Sequence, residues 1–171
     1  MFYKALLPAL IVLGSSIILI SYKSLVLSDI QRSQRVGAFL KANYGDALNH
    51  LKLKERIFKM LQVDLNGDQK KEAMVYLISP GFCGSGGCNL LVLSVENKLI
   101  TEMTVFKPPL RIQQQDNKWA VLWVKYRGKA IPLVYKNGPY PTNRIVVDRK
   151  TNDFPKDTWE VPFDSLPLYS F

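Results

Sequence analysis

The chain has 171 residues and a formal net charge of +9, from 23 basic and 14 acidic residues. Its hydrophobic fraction of 47% is sufficient for one buried core, and its charged fraction of 22% excludes a chain that is disordered throughout. Residues 1–28 contain only Lys4 and Lys23 as charged residues, so the remainder still carries +7. No recognisable nucleic-acid-binding module accompanies this charge, and we expect no nucleic-acid partner.

Residues 1–28 have the pattern of a targeting segment. Lys4 precedes an uncharged, apolar run from Ala5 to Tyr22, and the first acidic residue is Asp29. The run approaches the roughly 20 residues that span the hydrocarbon core of a bilayer. A short cationic start followed by such a run predicts a signal peptide or a signal anchor, that is, a transmembrane helix that is not cleaved.

Cleavage and orientation of this segment stay open at the level of sequence. Val26 and Ser28 have side chains small enough for a cleavage site, although the site is not a clean one, which favours an uncleaved anchor. Lys23, Arg32 and Arg35 follow the segment and would prefer the cytoplasm, but long domains translocate largely regardless of such charges. We expect a bacterial inner-membrane protein that faces the periplasm, or a periplasmic protein if the segment is cleaved.

Residues 29–50 form a predicted helical segment. Val36, Phe39 and Leu40 lie at positions i, i+3 and i+4, which places them on one face of a helix. The glycine in the sequence Asn43–Gly45 predicts that the helix ends there.

Residues 51–171 are predicted to be a β-rich exported domain. Alternating or apolar runs predict strands, at residues 56–63, 72–79, 89–95, 99–106, 110–114, 119–126, 130–136 and 144–147. The run at 72–79 is almost entirely apolar, which predicts burial on both faces. Strands this close together, without helices between them, pair antiparallel. The predicted fold class is therefore α+β: an N-terminal transmembrane or signal helix, one short helix, and a mainly antiparallel sheet arranged as a meander or small sandwich.

The segment between the first two predicted strands carries oxygen ligands at regular spacing. Asp64, Asn66, Asp68 and Glu72 occupy positions 1, 3, 5 and 9 of the loop, and the carbonyl of Lys70 stands at position 7. Ca²⁺ takes about six to eight oxygen ligands, and alternate residues of a tight loop can point at one centre. The spacing predicts a structural calcium site. The alternative is a metal-free turn, because Asp, Asn and Gly favour turns in any case.

This loop differs from an EF-hand, because Gln69 and Val75 stand where that motif has glycine and glutamate. It resembles instead the D-x-N-G-D-x-x-x-(D/E) loops of FG-GAP and VCBS-type β-repeats. That resemblance covers Val63 to Leu77 and implies calcium bound between two strands. Only one copy is present, so a propeller built from several copies is not implied.

The two cysteines, Cys83 and Cys88, enclose a glycine-rich loop. With His50 as the only histidine, the chain lacks the roughly four soft ligands that a zinc site needs. In an exported protein this spacing predicts a local disulfide, and free thiols are the alternative. Ser85 does not fit a nucleophile elbow, because Cys83 occupies the position of its first glycine.

Several motifs in order resemble a group of small bacterial periplasmic proteins and lipoproteins that has no assigned activity. The shared features are the D-x-N-G-D loop, the C-G-S-G-G-C loop, a W-x-V-L-W strand and an N-G-x-Y-P-x-N segment, over roughly residues 55–145. The resemblance implies export and a compact β-rich domain, and it implies no activity.

The sequence favours a non-enzymatic role. His50 lies between the helix and the first strand, where a surface position is expected, so we predict no catalytic residues. The expected function is an envelope binding or accessory protein with a calcium-stabilised loop and an envelope protein as partner. An inhibitor or immunity protein against a cell-wall hydrolase or toxin, with the loop Gly81–Gly87 inserting into its target, is the alternative. A hydrolase is less favoured.

Overall fold

The computed structural model describes residues 7–136, 138–142 and 151–171, with side chains from Ser28 onward. Its first helix, α1, spans Leu7–Leu48. Where side chains are described, no helix is long and apolar enough to cross a membrane. Apart from Ser28, the side chains of the predicted targeting segment, residues 1–28, lie outside the described part, as does the strand predicted at 144–147.

The C-terminal half of α1 packs on the domain through the face that the sequence predicts. Val36 and Leu40 are fully buried, and Phe39 is partly buried. The helix does not end at Gly45. Tyr44 departs from helical geometry, with φ −127° and ψ 17°, and the helix then resumes as far as Leu48. Leu48 is 1% exposed, so its burial against the sheet explains why the chain stays helical beyond the glycine.

The remainder of the chain consists of a short 3-10 helix at Leu53–Glu55 and strands. The strands are β1 (Ile57–Val63), β2 (Glu72–Leu77), β3 (Cys83–Gly84), β4 (Gly87–Leu93), β5 (Leu99–Phe106), β6 (Leu110–Gln115), β7 (Lys118–Tyr126), β8 (Lys129–Leu133), β9 (Trp159–Glu160) and β10 (Leu168–Ser170). Each predicted run in the described part overlaps one of these strands. The prediction missed β3, β9 and β10, because two or three residues are too few to show an alternating pattern.

The strands form two sheets in which every pair is antiparallel. The larger sheet has the order β10-β1-β2-β4-β3, with β5 also paired to β4, and the smaller has the order β8-β7-β6-β9. One helix and antiparallel sheets confirm the predicted α+β class. The β7–β8 hairpin turns at Arg127 and Gly128, both with positive φ, as a two-residue turn requires.

Two cores lie on opposite faces of the larger sheet. The main core fills the space between the two sheets, so the domain is a small sandwich rather than a single-layer meander. It includes Met74, Val92, Ile112, Leu122 and Tyr140. The phenol of Tyr140 is fully buried and donates a hydrogen bond to the carbonyl of Ala120 at 2.9 Å, which satisfies its polar end inside the core.

The second core lies between the larger sheet and α1. Phe58, Val75 and Leu91 are fully buried there against Val36 and Leu40 of the helix. Strand β2 therefore contributes to both cores, which confirms the prediction that it is buried on both faces.

The sandwich has two ends, here called poles. The proximal pole consists of three connections: the loop 64–71, which follows β1, the turn 94–98, which follows β4, and the turn 115–118 at the end of β6. The distal pole consists of residues 79–88 and the turn 126–129. Because the strands are antiparallel, these loops alternate between the two poles along the chain.

Helix α1 crosses the larger sheet from the proximal to the distal pole. At the proximal pole Gln62 donates a hydrogen bond to the carboxylate of Asp29. At the distal pole the ring of Tyr44 meets the ring of Phe82 edge-on, with centroids 5.6 Å apart. The N-terminal part of the chain therefore joins the domain at the proximal pole.

Candidate functional site

The loop after β1 is shaped by its own side-chain oxygens. The carboxylate of Asp64 accepts hydrogen bonds from the backbone N–H groups of Asn66, Gly67 and Gln69, at 3.2, 2.7 and 2.8 Å. The side-chain oxygen of Asn66 accepts from the N–H of Asp68 at 2.9 Å. The carboxylate of Asp68 accepts from the N–H of Lys70 at 2.8 Å. The alternating oxygens thus face the backbone of one tight turn.

The same hydrogen bonds determine how Asp64 titrates. Desolvation raises the pKa of its carboxyl, but the backbone N–H groups of Gly67, Gln69 and Asn66 outweigh it and hold the pKa below the ordinary value. A lowered pKa means that the folded state favours the ionised carboxyl.

We expect the substitution Asp64→Asn to destabilise the protein at neutral pH and to do so less in acid. The ionised carboxyl contributes stability above the ordinary aspartate pKa, and this contribution is lost as the pH falls through the lowered pKa of the folded state. Urea unfolding of both proteins from pH 7 down to pH 3 measures the difference. A difference that does not change with pH would contradict this assignment.

Glu72, the last predicted ligand, lies behind this turn and is only 2% exposed. Its carboxylate accepts a hydrogen bond from the N–H of Leu65 at 2.8 Å. Burial raises the pKa of Glu72; the Leu65 N–H opposes this shift, and the charges of Asp68 and Asp64 add to it. In the described ranges, no group of three or more His, Cys, Asp or Glu side chains is placed to hold a metal ion. Calcium binding stays a prediction.

The smaller sheet supports the loop from outside. Leu65 is fully buried in the main core, and its carbonyl accepts a hydrogen bond from the N–H of Ala120 at 2.6 Å. The side chain of Gln114 donates to the carbonyl of Asp64 at 3.0 Å. The loop is therefore held in place by contacts that do not depend on a metal.

Arg32 of α1 also supports the proximal pole, and the sequence did not single it out for this role. It is 3% exposed, and its guanidinium donates hydrogen bonds to the carbonyls of Ser94, at 2.5 Å, and Val95. Desolvation lowers the pKa of Arg32, whereas attraction from Glu72 is among the effects that oppose this. The sequence did contain an indication of this burial, because Arg32 lies four residues before Val36 and therefore on the helix face that is predicted to be buried.

At the distal pole, Cys83 and Cys88 form the predicted disulfide. They are paired residues of the β3–β4 hairpin, and Gly84 pairs with Gly87 in the same register. The tip carries Ser85, which is exposed. At the base, the N–H of Asn89 donates to the carbonyl of Phe82 at 3.0 Å. The predicted loop is thus a short, covalently closed hairpin.

Packing restricts the glycines of this hairpin to different degrees. A Cβ at Gly87, where φ is +122°, would lie 1.9 Å from the carbonyl oxygen of Phe106, and a Cβ at Gly86 would lie 2.5 Å from a methyl of Val105. Gly84 differs: within the described residues nothing lies within 4 Å of its Cβ position, and its φ lies outside the left-handed region. The fold therefore requires glycine at Gly87, restricts Gly86 only through the side chain of Val105, and does not explain Gly84.

Removal of the disulfide should have a moderate effect on stability. The double substitution Cys83→Ser and Cys88→Ser opens a ring of only a few residues, and chain entropy predicts a loss of about 2 kcal/mol in the free energy of unfolding. Urea unfolding monitored by circular dichroism checks this value. Intact mass after alkylation without reduction supplies the control, since the wild type should take up no label and two labelled thiols would contradict the disulfide.

Polar and aromatic contacts fix the base of the hairpin to α1. Asn89 donates a side-chain hydrogen bond to the carboxylate of Glu102 at 2.8 Å. Desolvation raises the pKa of Tyr44, and a hydrogen bond with Glu102 raises it further. The rings of Tyr44 and Phe82 close this contact, so the hairpin stands on a packed base.

His50 and one pair of basic side chains lie outside the two loops described above. His50 is exposed in the segment after α1, as expected. Near the β7–β8 turn, the ammonium of Lys125 and the guanidinium of Arg111 lie over the ring of Phe154, at 5.5 and 5.6 Å from its centroid. The positive charges of this surface therefore already interact with the ring of Phe154.

No protein-family model matches the chain, and neither the curated proteins nor the solved structures contain a significant match. The resemblances drawn from the loop motifs therefore stay predictions, and the functional argument depends on the geometry of the two poles.

Proposed function

We propose that this chain is an exported, non-enzymatic binding or accessory protein of the bacterial envelope, held in the inner membrane by its N-terminal segment or released into the periplasm. The observation that carries the proposal is the disulfide-closed hairpin at the distal pole, opposite the end at which α1 joins the domain. Disulfides persist in oxidising compartments such as the periplasm and are rare in the cytosol.

The hairpin has the properties of a pre-organised binding element. The disulfide, the Gly84–Gly87 pairing and the close packing of Gly87 on Phe106 restrict its conformation before any partner arrives. Rigidity of this kind lowers the entropic cost of binding. Gly84 has no side chain, and no described residue fills the space where its Cβ would lie. A glycine of this kind is expected where the surface of a partner approaches the backbone closely.

Export is tested by the location of the domain in cells that express the full chain. Protease added to spheroplasts should digest the β-rich domain while a cytoplasmic marker protein stays intact. A domain that is digested only after the spheroplasts are lysed would contradict the proposal.

Binding through the hairpin is tested with a photo-crosslinking amino acid at Ser85 in living cells. A single discrete adduct is expected, and the additional substitution Gly84→Leu should abolish it because the side chain fills the bare surface. The matched control is Gly45→Leu, since Gly45 is likewise free of atoms within 4 Å of its Cβ position. An adduct that persists in the Gly84→Leu variant would contradict hairpin binding.

The rigid, narrow shape of the hairpin also favours the second candidate, an inhibitor or immunity protein. A hairpin without bulky side chains at its tip suits insertion into the cleft of a cell-wall hydrolase or toxin. If the crosslinked partner is such an enzyme, the purified chain should inhibit it, and the Gly84→Leu variant should not. A hydrolase activity of the chain itself is less favoured, because exposed His50 is its only histidine.

Calcium is the proposed ligand of the proximal loop, with a structural role. The side chains of Asp64, Asn66, Asp68 and Glu72 and the carbonyl of Lys70 would hold it. The repulsion that Asp68 and Asp64 exert on Glu72 supports this, because a cation between carboxylates relieves it.

We expect calcium at about 100 times its dissociation constant to raise the free energy of unfolding by about 2.7 kcal/mol. Thermal unfolding in calcium and in chelator measures the gain, and the variant Asp64→Asn/Asp68→Asn should show none. Coincident melting curves for the wild type would contradict calcium binding.

A further inference from the structure

The pair Asn66–Gly67 in the loop 64–71 contains the two groups of a self-modification reaction. The backbone nitrogen of Gly67 directly follows the residue that carries the side-chain amide, and glycine has no Cβ to hinder the approach of this nitrogen to Cγ of Asn66. Asparagine is one of the residue types that are chemically labile in proteins. The sequence contains one other pair of this kind, Asn137–Gly138.

The reaction is deamidation through a cyclic imide. The nitrogen of Gly67 forms a bond to Cγ of Asn66, the Cγ–Nδ2 bond breaks, and the amide leaves as ammonia with the proton that the Gly67 nitrogen gives up. Water then opens the imide ring at one of its two carbonyls, which leaves an aspartate or an isoaspartate at position 66. Water is the only co-reactant, and nothing is oxidised or reduced.

Burial does not keep these two residues apart from water. Asn66 is partly buried, and Gly67 is exposed. The nearest described backbone atom, the Cα of Asn117, lies 3.5 Å from the Cβ position of Gly67, which is an ordinary contact. Any restraint on the reaction in the folded protein therefore has to come from the hydrogen bonds of the loop.

These hydrogen bonds hold both reacting groups. The N–H of Gly67 donates to Oδ1 of Asp64 at 2.7 Å, and the side-chain oxygen of Asn66 accepts from the N–H of Asp68 at 2.9 Å. The first bond fixes the attacking nitrogen, and the second fixes the amide that it would attack. Loss of the proton from Gly67 would also give up a hydrogen bond to an ionised acceptor, which is one of the strong kinds. The carboxylate of Asp64 therefore opposes the first step.

We propose that Asn66 is a deamidation site and that the carboxylate of Asp64 restrains its reaction, so that the amide is lost when the loop opens locally. The restraint preserves the turn, because an isoaspartate lengthens the main chain by one carbon atom and an aspartate adds a carboxylate beside Asp64 and Asp68. Neither the hairpin partner nor calcium is required, since every contact that restrains Asn66 belongs to the loop itself.

The first test compares the folded and the unfolded chain. The purified full chain is incubated with a chelator, with and without guanidinium chloride, and mass spectrometry of its peptides measures asparagine, aspartate and isoaspartate at position 66. We expect the folded wild type to deamidate at Asn66 at least about tenfold more slowly than the unfolded chain, a factor that one hydrogen bond to a charged acceptor can supply. Asn137 in the unfolded chain gives the rate of an unrestrained pair. Equal rates at Asn66 in the folded and unfolded chains would overturn the proposal.

The second test assigns the restraint to Asp64. The variant Asp64→Ala removes the acceptor of the Gly67 N–H, and its folded form should deamidate at Asn66 at least about tenfold faster than the wild type. The matched control is Asp68→Ala, because the carboxylate of Asp68 belongs to the same loop but accepts from the N–H of Lys70 instead. Its rate should stay close to that of the wild type. Equal acceleration in the two variants would overturn the role of Asp64.

Circular dichroism establishes that each variant is folded. If Asp64→Ala does not fold, Asp64→Ser replaces it, since a serine hydroxyl accepts the same N–H in a turn without a charge. We expect Asp64→Ser to deamidate faster than the wild type, and a rate equal to that of the wild type would overturn the restraint by the carboxylate.

Discussion

Replacement of Gly87 by alanine should lower the free energy of unfolding by about 3 kcal/mol or more, because backbone strain and overpacking add at this position. The added Cβ would lie 1.9 Å from the carbonyl oxygen and 2.4 Å from the carbonyl carbon of Phe106. Both are backbone atoms of β5, so they cannot rotate away as a side chain does. In addition, the φ of +122° is one that residues other than glycine rarely adopt.

The control for this prediction is Gly84→Ala, in the same hairpin and the opposite member of the same strand pair. Its Cβ meets nothing within 4 Å, so we expect a change within about 0.5 kcal/mol. Urea unfolding of both variants, with the disulfide verified by intact mass, gives the comparison. Equal stability of the two variants would show that the hairpin does not pack on β5 as described.

The substitution Arg32→Ala is expected to cost about 3 kcal/mol in the free energy of unfolding, since two buried hydrogen bonds from a charged donor are lost together. The carbonyls of Ser94 and Val95 lose their donor, and the buried space of the side chain is left empty. Because these contacts hold α1 on the proximal pole, we also expect faster hydrogen exchange in α1 and in the turn 94–98.

Arg35→Ala is the matched control on the same helix. Arg35 is exposed and one turn away, so its removal should change stability by no more than about 0.5 kcal/mol. The positive charge of Arg35 repels that of Arg32 and lowers the pKa of Arg32. Removal of Arg35 therefore relieves a repulsion and should not destabilise the folded state electrostatically. If both variants lose the same stability, Arg32 does not have the anchoring role assigned to it.

The sequence allowed most of the strands to be predicted, because strand formation leaves a local pattern. The run of apolar residues in β2 indicated burial on both faces, and β2 does contribute to both cores. The end of α1 was predicted less well. Gly45 is a strong local stop signal, yet burial of Leu48 extends the helix beyond it, and that burial depends on a sheet formed later in the chain.

The candidate sites divide in the same way. The cysteine count and the spacing of Asp64, Asn66 and Asp68 could be read directly, and the structure contains the disulfide and a tight turn at these positions. The sequence could not show that Glu72 is buried against the N–H of Leu65, because that depends on how the turn packs on the smaller sheet.

The sequence by itself predicted the α+β class, the antiparallel pairing and the disulfide, from periodicity, short connections and the spacing of the two cysteines, and the structure contains all three. Only the tertiary structure decided that Gly87 is indispensable and Gly84 is free, that Arg32 ties α1 to the turn at Ser94, and that the hairpin and the helix entry lie at opposite poles. The physical reason is distance along the chain. The backbone carbonyl of Phe106 leaves no room for a side chain at Gly87. The carbonyl of Ser94 accepts a hydrogen bond from Arg32, which lies 62 residues away in the sequence. Such contacts leave no periodic trace in the sequence.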